Sequence, residues 1–463
     1  MVTDVPTRRL VDRHGKSLIP LLGYAFVRWG KVQKLPGRKI DRVRGLARWH
    51  HRWATVQFAN TVEYDTEPRG ELGGQDQQKG KKMPMILNEE QNQLKDMAKS
   101  FCTDKAPIDQ LRRLRDEDNA DGFDRETWTA MAELGFAGAP FPEEHGGIGF
   151  GYKGLGVITE ETGRTLSASP LFSSVWLGGT TVNIGGSDEQ KSEILPKVVT
   201  GELLLALALE ESHRHDPYGI ATSASASEDG YTISGSKKFV LDGHVADQLI
   251  VVARTSGSPG ERDGLTLFLV DREAEGVAVT RTKMVDSRNA ANIDFSNVAV
   301  ASDARIGDEG KGADVLDPTL DIGRIGIAAE MLGSTQECFE RTVQYLKDRE
   351  QFGVPIGSFQ ALKHRAANMF CEVELSKSVV LEALTALDEE RDASEIAKLA
   401  SLTKAKVGET FHTVSREGIQ MHGGIGMTDE FDIGFFIKRA AVTEQTLGDV
   451  NFHRNRYGDL EGY

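Results

Sequence analysis

The chain of 463 residues contains only three cysteines, and they lie far apart. So few cysteines exclude a disulfide framework and a cysteine-based zinc site, and they favour a cytoplasmic location. Cys338 and Cys371 fall within helical patterns, which predicts that both are small core residues. No apolar run reaches the roughly 18 residues of a membrane-spanning helix, because the nearest run, 18–27, is short and contains Pro20 and Gly23. The sequence therefore predicts no integral membrane segment.

Positive charge is scarce outside the N-terminal segment. Residues 1–82 hold 17 Lys and Arg against 8 Asp and Glu, a net charge of +9. Because the whole chain carries −15, the remaining residues carry −24. So acidic a body argues against nucleic acid as a partner. An anionic small ligand is still compatible with it, since such a ligand needs only a local cationic site.

The basic segment 1–82 shows no sustained period of 2 or 3.6 residues, and its last part, 65–82, has the composition of a disordered linker. Three interpretations are open. The segment is a basic targeting sequence, or it is an arm that binds a partner. Alternatively, natural translation starts at Met83 or Met85, and the upstream residues come from a misread start codon.

After this segment, hydrophobic periodicity divides the chain into three parts. Residues 83–200 have helical spacing and predict an all-helical domain. Residues 201–310 contain short apolar runs separated by turn signals, including a predicted hairpin within 230–240, and they predict a small β-barrel. Helical patterns return in 311–463 and predict an antiparallel four-helix bundle with short links. The predicted fold class is therefore α+β, with a helical N-terminal domain, a middle β-barrel and a C-terminal four-helix bundle.

Two connections between predicted bundle helices contain charged, aromatic or glycine residues beyond those that a simple helix link requires. The first, DREQFGVPIGSFQ at 348–360, combines the fixed cation Arg349 with Phe352, Phe359 and helix-breaking residues. The second, GIQMHGGIG at 418–426, has glycines that stop a helix and also expose backbone N–H groups able to cradle a phosphate or a flavin edge. The first connection indicates a site for a flat, anionic ligand.

The segment EESHRHD at 210–216 raises the question of a metal site. His213 and His215 alternate faces on an extended segment, and no third ligand has suitable spacing. A polar loop at the barrel mouth is the preferred interpretation, and no metal is predicted.

Four motifs in combination resemble those of the acyl-CoA dehydrogenase family, from about Leu87 to the C terminus. They are MAELGFAGAPFPEEHGGIGFG, DGYTISGSKKFV, DREQFGVPIGSFQ and GIQMHGGIGMTDEF. The resemblance implies FAD, assembly as a dimer of dimers, and electron-transfer flavoprotein or a similar acceptor as a partner. The implied reaction removes the α-proton of an acyl-CoA thioester and passes the β-hydride to flavin, which yields the 2-enoyl-CoA.

The resemblance also implies roles for individual residues. The 348–360 turn would reach FAD across a subunit interface, the 418–426 loop would meet the same dinucleotide, and an aromatic residue of the middle domain would lie beside the flavin ring. The implied cofactor-binding residues are Arg349, Phe352, Gln360, Gln420, Gly423, Gly424, Phe239 and Leu209. The implied substrate-binding residues are Asp321 and Arg324.

The catalytic carboxylate of the family is absent from both of its usual positions. Aligned on Arg439, the first position is Gly448, and the second, immediately before Arg324, is Gly323. The loop 210–216 is also bulkier and more charged than the family pattern. Asp449 and Asp321 are the carboxylates left as candidates for the base.

These departures leave two principal hypotheses. In the first, the chain is an active FAD-dependent acyl-CoA dehydrogenase with a displaced base. In the second, it is a subunit without a base that pairs with a catalytic homologue and completes the homologue's flavin site. Its LGD ending, 447–449, resembles small subunits of two-component acyl-CoA dehydrogenases. A flavin-free interaction scaffold is a third class.

Overall fold

A computed structural model describes residues 87–463. The predictions made for 1–82, and the two suggested start sites Met83 and Met85, lie outside the described residues. Within the described residues, a helical N-terminal part and a helical C-terminal part flank a middle β-sheet. The predicted fold class is confirmed in this arrangement.

The N-terminal helices begin where the sequence supplies caps. Asn88 and Gln91 form a capping box at the first helix, and Ser187 and Gln190 form another at the last helix of this part. Both boxes satisfy backbone N–H groups that a helix start leaves free. The helices are α1 (Glu89–Lys105), α2 (Ile108–Asp116), α3 (Arg125–Glu133), α4 (Gly151–Arg164), a π-helical stretch (Leu171–Gly179) that continues as α5 (Thr180–Gly185), and α6 (Asp188–Val199), with a 3₁₀ turn at Glu143–His145.

The middle part is an eight-stranded sheet in the order β6-β7-β3-β2-β4-β5-β8, with β1 beside β4. The hairpin predicted within 230–240 is wrong, because those residues form one strand, β3, and the hairpin turn precedes it at Ser227 and Gly230. The register of β3 against β7 shifts between Lys237 and Val240. The strands are β1 (Leu205–Ala208), β2 (Ser223–Ser227), β3 (Gly230–Leu241), β4 (Gln248–Arg254), β5 (Leu265–Asp271), β6 (Val277–Lys283), β7 (Asn289–Ala301) and, after a 3₁₀ turn at Ser302–Ala304, β8 (Arg305–Ile306).

The C-terminal part is a bundle of long helices. The predicted fourth helix is in fact two helices, because Leu447 and Gly448 both have positive φ values, 57° and 107°, which break the helix between them. The helices are α7 (Ala313–Asp348), α8 (Gln360–Asp388), α9 (Ala393–His422), α10 (Ile433–Gln445) and α11 (Val450–Glu461). A short hairpin, β9 (Glu350–Gln351) and β10 (Val354–Pro355), and 3₁₀ turns at Ile356–Ser358 and Gly423–Met427 complete the links.

One apolar core runs continuously from the N-terminal helices through one side of the sheet into the bundle. The interior positions of the sheet form a second cluster. Cys338 is buried as predicted, but Cys371 lies exposed on α8, so its prediction as a core residue is wrong. No helix in 87–463 is both long enough and apolar enough to cross a membrane.

Candidate functional site

The connection between α7 and α8 is a tight β-hairpin. Its two central residues, Phe352 and Gly353, have φ values of 56° and 77°, the backbone of a type I′ turn. A positive φ is unusual for a bulky residue and costs on the order of 1–3 kcal/mol. The Phe352 side chain points outward, with 91% of it exposed. Such strain at an exposed aromatic is typical of a contact site rather than of a simple link.

The glycine-rich loop after α9 lies at the same end of the bundle as this hairpin. The ring of Tyr345, in the last turn of α7, stacks on His422 with 4.3 Å between ring centroids. The Tyr345 hydroxyl also donates to the His422 carbonyl at 3.3 Å. Gln420 is exposed, and an added Cβ at Gly423 or Gly424 would meet no atom within 4 Å. These glycines therefore keep the backbone open to an incoming group and are not required by packing.

Arg349 is exposed at the base of the hairpin. Its backbone closes the turn, since its N–H donates to the Tyr345 carbonyl and its carbonyl accepts from the Ile356 N–H. Within 87–463 its guanidinium has no ion-pair or hydrogen-bond partner. An uncommitted guanidinium beside an exposed aromatic ring suits a diphosphate attached to a flat ring system. Gln360, the first residue of α8, is exposed nearby.

The middle domain presents a second aromatic residue in strained backbone. Phe239 lies at the β3 register shift with φ 52°, and its side chain is 46% exposed. Leu209 is buried, and its carbonyl accepts from the Lys237 ammonium at 3.0 Å. Burial lowers the pKa of Lys237 to about 8. The same ammonium donates to Glu211 Oε1 at 2.7 Å, which ties the 210–216 loop to the sheet.

The segment 210–216 lies outside the helices and strands, and His215 within it is buried, which the sequence did not indicate. Only 4% of its side chain is exposed, and it bridges the middle domain to the bundle. Its Nδ1 lies 2.5 Å from Glu210 Oε1, and its Nε2 lies 3.0 Å from Arg324 Nη2. Burial lowers the pKa of His215, so the ring is neutral near neutral pH. Because arginine only donates, Nε2 accepts from Arg324, and Nδ1–H donates to Glu210.

Asp321 and Arg324 are brought together with a cation that the sequence analysis did not identify. Arg324 Nη1 donates to Asp321 Oδ1 at 2.8 Å. Arg456, on α11, donates to Asp321 Oδ2 at 2.9 Å and lies 2.8 Å from Oδ1. Both carboxylate oxygens of Asp321 are therefore occupied by guanidinium groups. Two guanidinium groups, from α7 and α11, therefore hold the Asp321 carboxylate in place.

Several side chains hold the segment 446–449 in place. The Leu447 carbonyl accepts from Arg324 Nε at 3.3 Å and from His453 Nε2 at 3.0 Å. The Gly448 carbonyl accepts from the ammonium of buried Lys404 at 3.0 Å, and burial lowers the pKa of that lysine to about 7. These bonds fix the segment in one conformation.

Asp449 has a structural role at the start of α11. Its Oδ1 accepts from the Phe452 N–H at 2.7 Å, which makes it the N-cap residue of the helix. A carboxylate in this position also interacts favourably with the positive end of the helix dipole. The cap accounts for the presence of an acidic residue here without a catalytic role.

Neither usual position of the family base has room for a side chain. A Cβ at Gly448 would lie 2.5 Å from Phe452 Cδ1 and 2.9 Å from His453 Nε2. A Cβ at Gly323 would lie 2.5 Å from Leu177 Cδ2 and 3.0 Å from Leu447 Cδ1. Distances under 3.0 Å require the surrounding atoms to move. The glycines are therefore built into the packing of the cleft between the 210–216 loop, α7 and the 446–449 segment.

The residues present match FAD on one side only. At the hairpin end of the bundle, Arg349, Phe352 and the open backbone at Gly423 offer a cation, an aromatic face and N–H donors, all exposed. In the cleft, by contrast, the Leu209 carbonyl and the His215 ring are already bonded within the chain. In the described part of the chain, no cluster of three His, Cys, Asp or Glu could hold a metal ion.

Sequence reasoning did not identify the residues that fill and fasten the cleft. A signal was available, because polar residues occupy buried positions of α9 among alanines, and such positions need internal partners. Further along the bundle, Arg439 forms a buried ionic cluster with Glu330 and Asp286. The unrecognised residues are Lys404, Ser401, Phe452, His453, Arg456, Glu330 and Asp286.

The chain matches three family descriptions that together cover most of the described residues. They are "Acyl-CoA dehydrogenase, N-terminal domain" over 88–202, "middle domain" over 206–298 and "C-terminal domain" over 310–459. A probable acyl-CoA dehydrogenase, YngJ, of Bacillus subtilis is 31% identical over 80% of this chain and 98% of its own length. A 3-(aryl)acrylate reductase of Clostridium sporogenes is 32% identical over 75% of this chain and 92% of its own length.

Solved structures agree with these matches. A variant of the steroid ACAD named Tcur3481-Tcur3483 superposes with a TM-score of 0.73 at 31% identity, over 81% of this chain and 98% of the other. The ChsE4-ChsE5 complex from Mycobacterium tuberculosis superposes with a TM-score of 0.74 at 25% identity, over 82% of this chain and all of the other. The chain therefore belongs to the acyl-CoA dehydrogenase family, whose members are FAD-dependent oxidoreductases that act on CH–CH bonds.

Proposed function

We propose that this chain is the base-lacking subunit of a hetero-oligomeric acyl-CoA dehydrogenase. It lends the 348–360 turn and the 418–426 loop to the flavin site of a homologous subunit, and that subunit supplies the catalytic carboxylate. The observation that carries the proposal is the packing of Gly448 and Gly323. Both usual base positions are glycines, and a Cβ at either one would collide with neighbouring side chains.

The remaining carboxylates do not substitute for the missing base. A general base needs an unoccupied oxygen directed at the proton it removes. Asp321 is paired with two guanidinium groups, and Asp449 caps α11. Arg324, an expected substrate-binding residue, is engaged by Asp321, His215 and the Leu447 carbonyl. The substrate and base positions of this chain therefore serve its own stability.

The exposed end of the bundle supports the cofactor role. Arg349 would hold the diphosphate of FAD, and Phe352 would cover its adenine side, across the subunit interface. Bound FAD would accept the hydride from the β-carbon of the acyl thioester as the partner's carboxylate takes the α-proton. Two of the similar structures bear paired names, Tcur3481-Tcur3483 and the ChsE4-ChsE5 complex, which is the type of assembly proposed here. Electron-transfer flavoprotein, or a similar acceptor, would reoxidise the assembly.

A comparison of the lone chain with a co-purified pair tests this function. The homologue to co-express carries Glu at the position that aligns with Gly448. The visible spectrum of each sample is recorded before and after anaerobic addition of a panel of acyl-CoA and 2-enoyl-CoA thioesters. We expect acyl-CoA to bleach the flavin band of the pair and to leave the lone chain unchanged. Bleaching of the lone chain would instead establish an autonomous dehydrogenase with a displaced base. A pair without flavin would also contradict the proposal.

A further inference from the structure

The terminal helix α11 closes the cleft between the 210–216 loop and α7. We propose that α11 is a latch, with Phe452 as its plug and Arg456 as its fastening, and that it excludes acyl thioesters from this chain's own cleft. The inference rests on the proposed function, since an active subunit would need the cleft open. It adds to that function the residue that decides which subunit of the assembly can take substrate.

Phe452 fills the cleft from the bundle side. Its ring meets the His215 ring edge-on, with 4.8 Å between centroids and an interplanar angle of 74°. The guanidinium carbon of Arg324 lies 5.6 Å from the Phe452 centroid, within range of a cation–π contact. The ring also accounts for the closest approach to Gly448. One aromatic side chain therefore covers the buried His215–Arg324 bridge and occupies the space beside the missing base.

Arg456 fastens the helix one turn after the plug. Its guanidinium donates to Asp321 Oδ2 on α7 and lies 2.8 Å from Oδ1. It also donates to Ser401 Oγ at 2.9 Å and to the Ala397 carbonyl at 3.1 Å, both on α9. By contrast, the Arg454–Glu409 pair is more than half exposed, and exposed pairs stabilise by only about 0–1 kcal/mol. A second pair, Lys398–Glu461, also joins α11 to α9 and is about one-third exposed. Arg456 makes three hydrogen bonds to α7 and α9, more than any other charged side chain of α11.

The segment before α11 resembles a hinge in its geometry. Leu447 and Gly448 have positive φ values, so α10 ends and the chain changes direction within two residues. Asp449 then caps the new helix at once. The helix is thus a separate element whose position depends on its own contacts rather than on continuation of α10. Loss of the Arg456 contacts should release it without unfolding α10.

Ligand binding to the full-length chain tests the plug. Octanoyl-CoA is titrated by calorimetry into wild type, Phe452→Ala and the milder Phe452→Leu, with Phe370→Ala as a control that removes an equal ring from an exposed position of α8. We expect Phe452→Ala to bind at least tenfold more tightly than wild type, Phe452→Leu to show a smaller gain, and Phe370→Ala to show none. Equal affinity of wild type and both Phe452 variants would overturn the plug, and Phe452→Leu decides the question if the alanine variant does not fold.

Hydrogen exchange tests the fastening. Arg456→Gln should raise the exchange rates of α11 amides at least tenfold and leave those of α10 unchanged, whereas Arg454→Gln should leave both helices unchanged. Unchanged exchange of α11 in Arg456→Gln would refute the fastening. The outcome is separable from that of the proposed function. If the wild-type chain binds octanoyl-CoA tightly but does not reduce flavin, the latch is refuted and the proposed base-lacking function still stands.

Discussion

Arg324 Nη2 donates to His215 Nε2 across 3.0 Å, and this bond joins the middle domain to the bundle. It exists only while the imidazole is neutral, because a second proton would occupy the accepting nitrogen. Burial, the first cause of the lowered pKa of His215, and the nearby Arg324 charge both disfavour that proton. Glu210 opposes them but does not reverse the direction. A titratable group therefore stands at the junction of two domains.

The junction should make stability sensitive to acid. The folded-state pKa of His215 is below its unfolded value of about 6.5, so the unfolded chain takes up a proton that the folded chain refuses. The free energy of unfolding should consequently fall as pH drops below about 6.5, by up to ~1.4 kcal/mol per pH unit from this residue. Urea unfolding at pH 7.5 and 5.5 should show a smaller loss in His215→Gln than in wild type.

His213 provides the control for this measurement. It lies two residues away and is exposed, so His213→Gln should show the pH dependence of wild type. Buried His422 is present in all three proteins and cancels in the comparison. If His215→Gln and wild type lose the same stability between pH 7.5 and 5.5, protonation of His215 is not a cause of the acid sensitivity.

Gly448 should not tolerate even the smallest side chain. Gly448→Ala places a Cβ at φ 107° and 2.5 Å from Phe452 Cδ1, so we expect a loss of about 2–4 kcal/mol from strain and overpacking together. Gly434→Ala is the matched control, because it lies in α10 with no atom within 4 Å of its Cβ and should be neutral or slightly stabilising. Thermal and urea unfolding measure both. The clash further predicts that Gly448→Glu fails to create turnover in the lone chain.

Asp449 can be assigned to the cap or to the base by two substitutions. As a cap, Asp449→Ala should lose about 0.5–2 kcal/mol of stability, whereas Asp449→Asn should retain most of it because the amide oxygen still accepts from the Phe452 N–H. As a base, Asn would be as damaging as Ala. We expect turnover of the paired assembly to survive in Asp449→Asn. A loss of turnover in a stable Asn variant would return Asp449 to the catalytic candidates.

The buried cluster around Arg439 should dominate the stability of the domain junction. Arg439 contacts Glu330 Oε1 at 2.8 Å and Asp286 Oδ2 at 2.6 Å, all nearly buried. Arg439→Met would remove the guanidinium partner of Asp286 and leave Glu330 paired with Arg288 alone, and we expect a loss of about 3–5 kcal/mol. Arg454→Met removes an exposed pair and should cost under about 1 kcal/mol in the same denaturant series. Similar losses in the two variants would contradict the importance assigned to burial.

Local patterns were sufficient to predict the fold class and to single out the exposed turn at 348–360. Helical and alternating periodicities depend on nearby residues, and the hairpin at Phe352 and Gly353 is specified within a few positions. The split of the last helix was missed because it depends on positive φ values at Leu447 and Gly448, and leucine gives no local sign of such a conformation. Likewise, the bond of His215 to Arg324 was missed because the two residues lie 109 positions apart in sequence.

Gly448 and Gly323 also show that local sequence does not reveal contacts between distant residues. Their presence at the two base positions was visible in the sequence, and it divided the functional hypotheses. Whether another carboxylate could replace the missing base was not visible, because the answer depends on what surrounds Asp321 and Asp449. Arg456 approaches Asp321 from a different helix, and no periodicity within α7 indicates it.

Arg349 should control flavin binding in the partner subunit rather than in its own. In the co-purified pair, Arg349→Ala removes the cation proposed for the diphosphate, and we expect FAD occupancy to fall several-fold as charge-assisted bonds worth about 1.5–3 kcal/mol are lost. Arg349→Lys should restore part of the occupancy, since a point charge replaces a two-pronged donor. Lys347→Ala, an exposed cation two residues earlier, is the control and should bind FAD as wild type does. The ratio of flavin absorbance to protein after gel filtration measures all four pairs. Full occupancy in Arg349→Ala, with the pair still assembled, would remove the turn from the cofactor site.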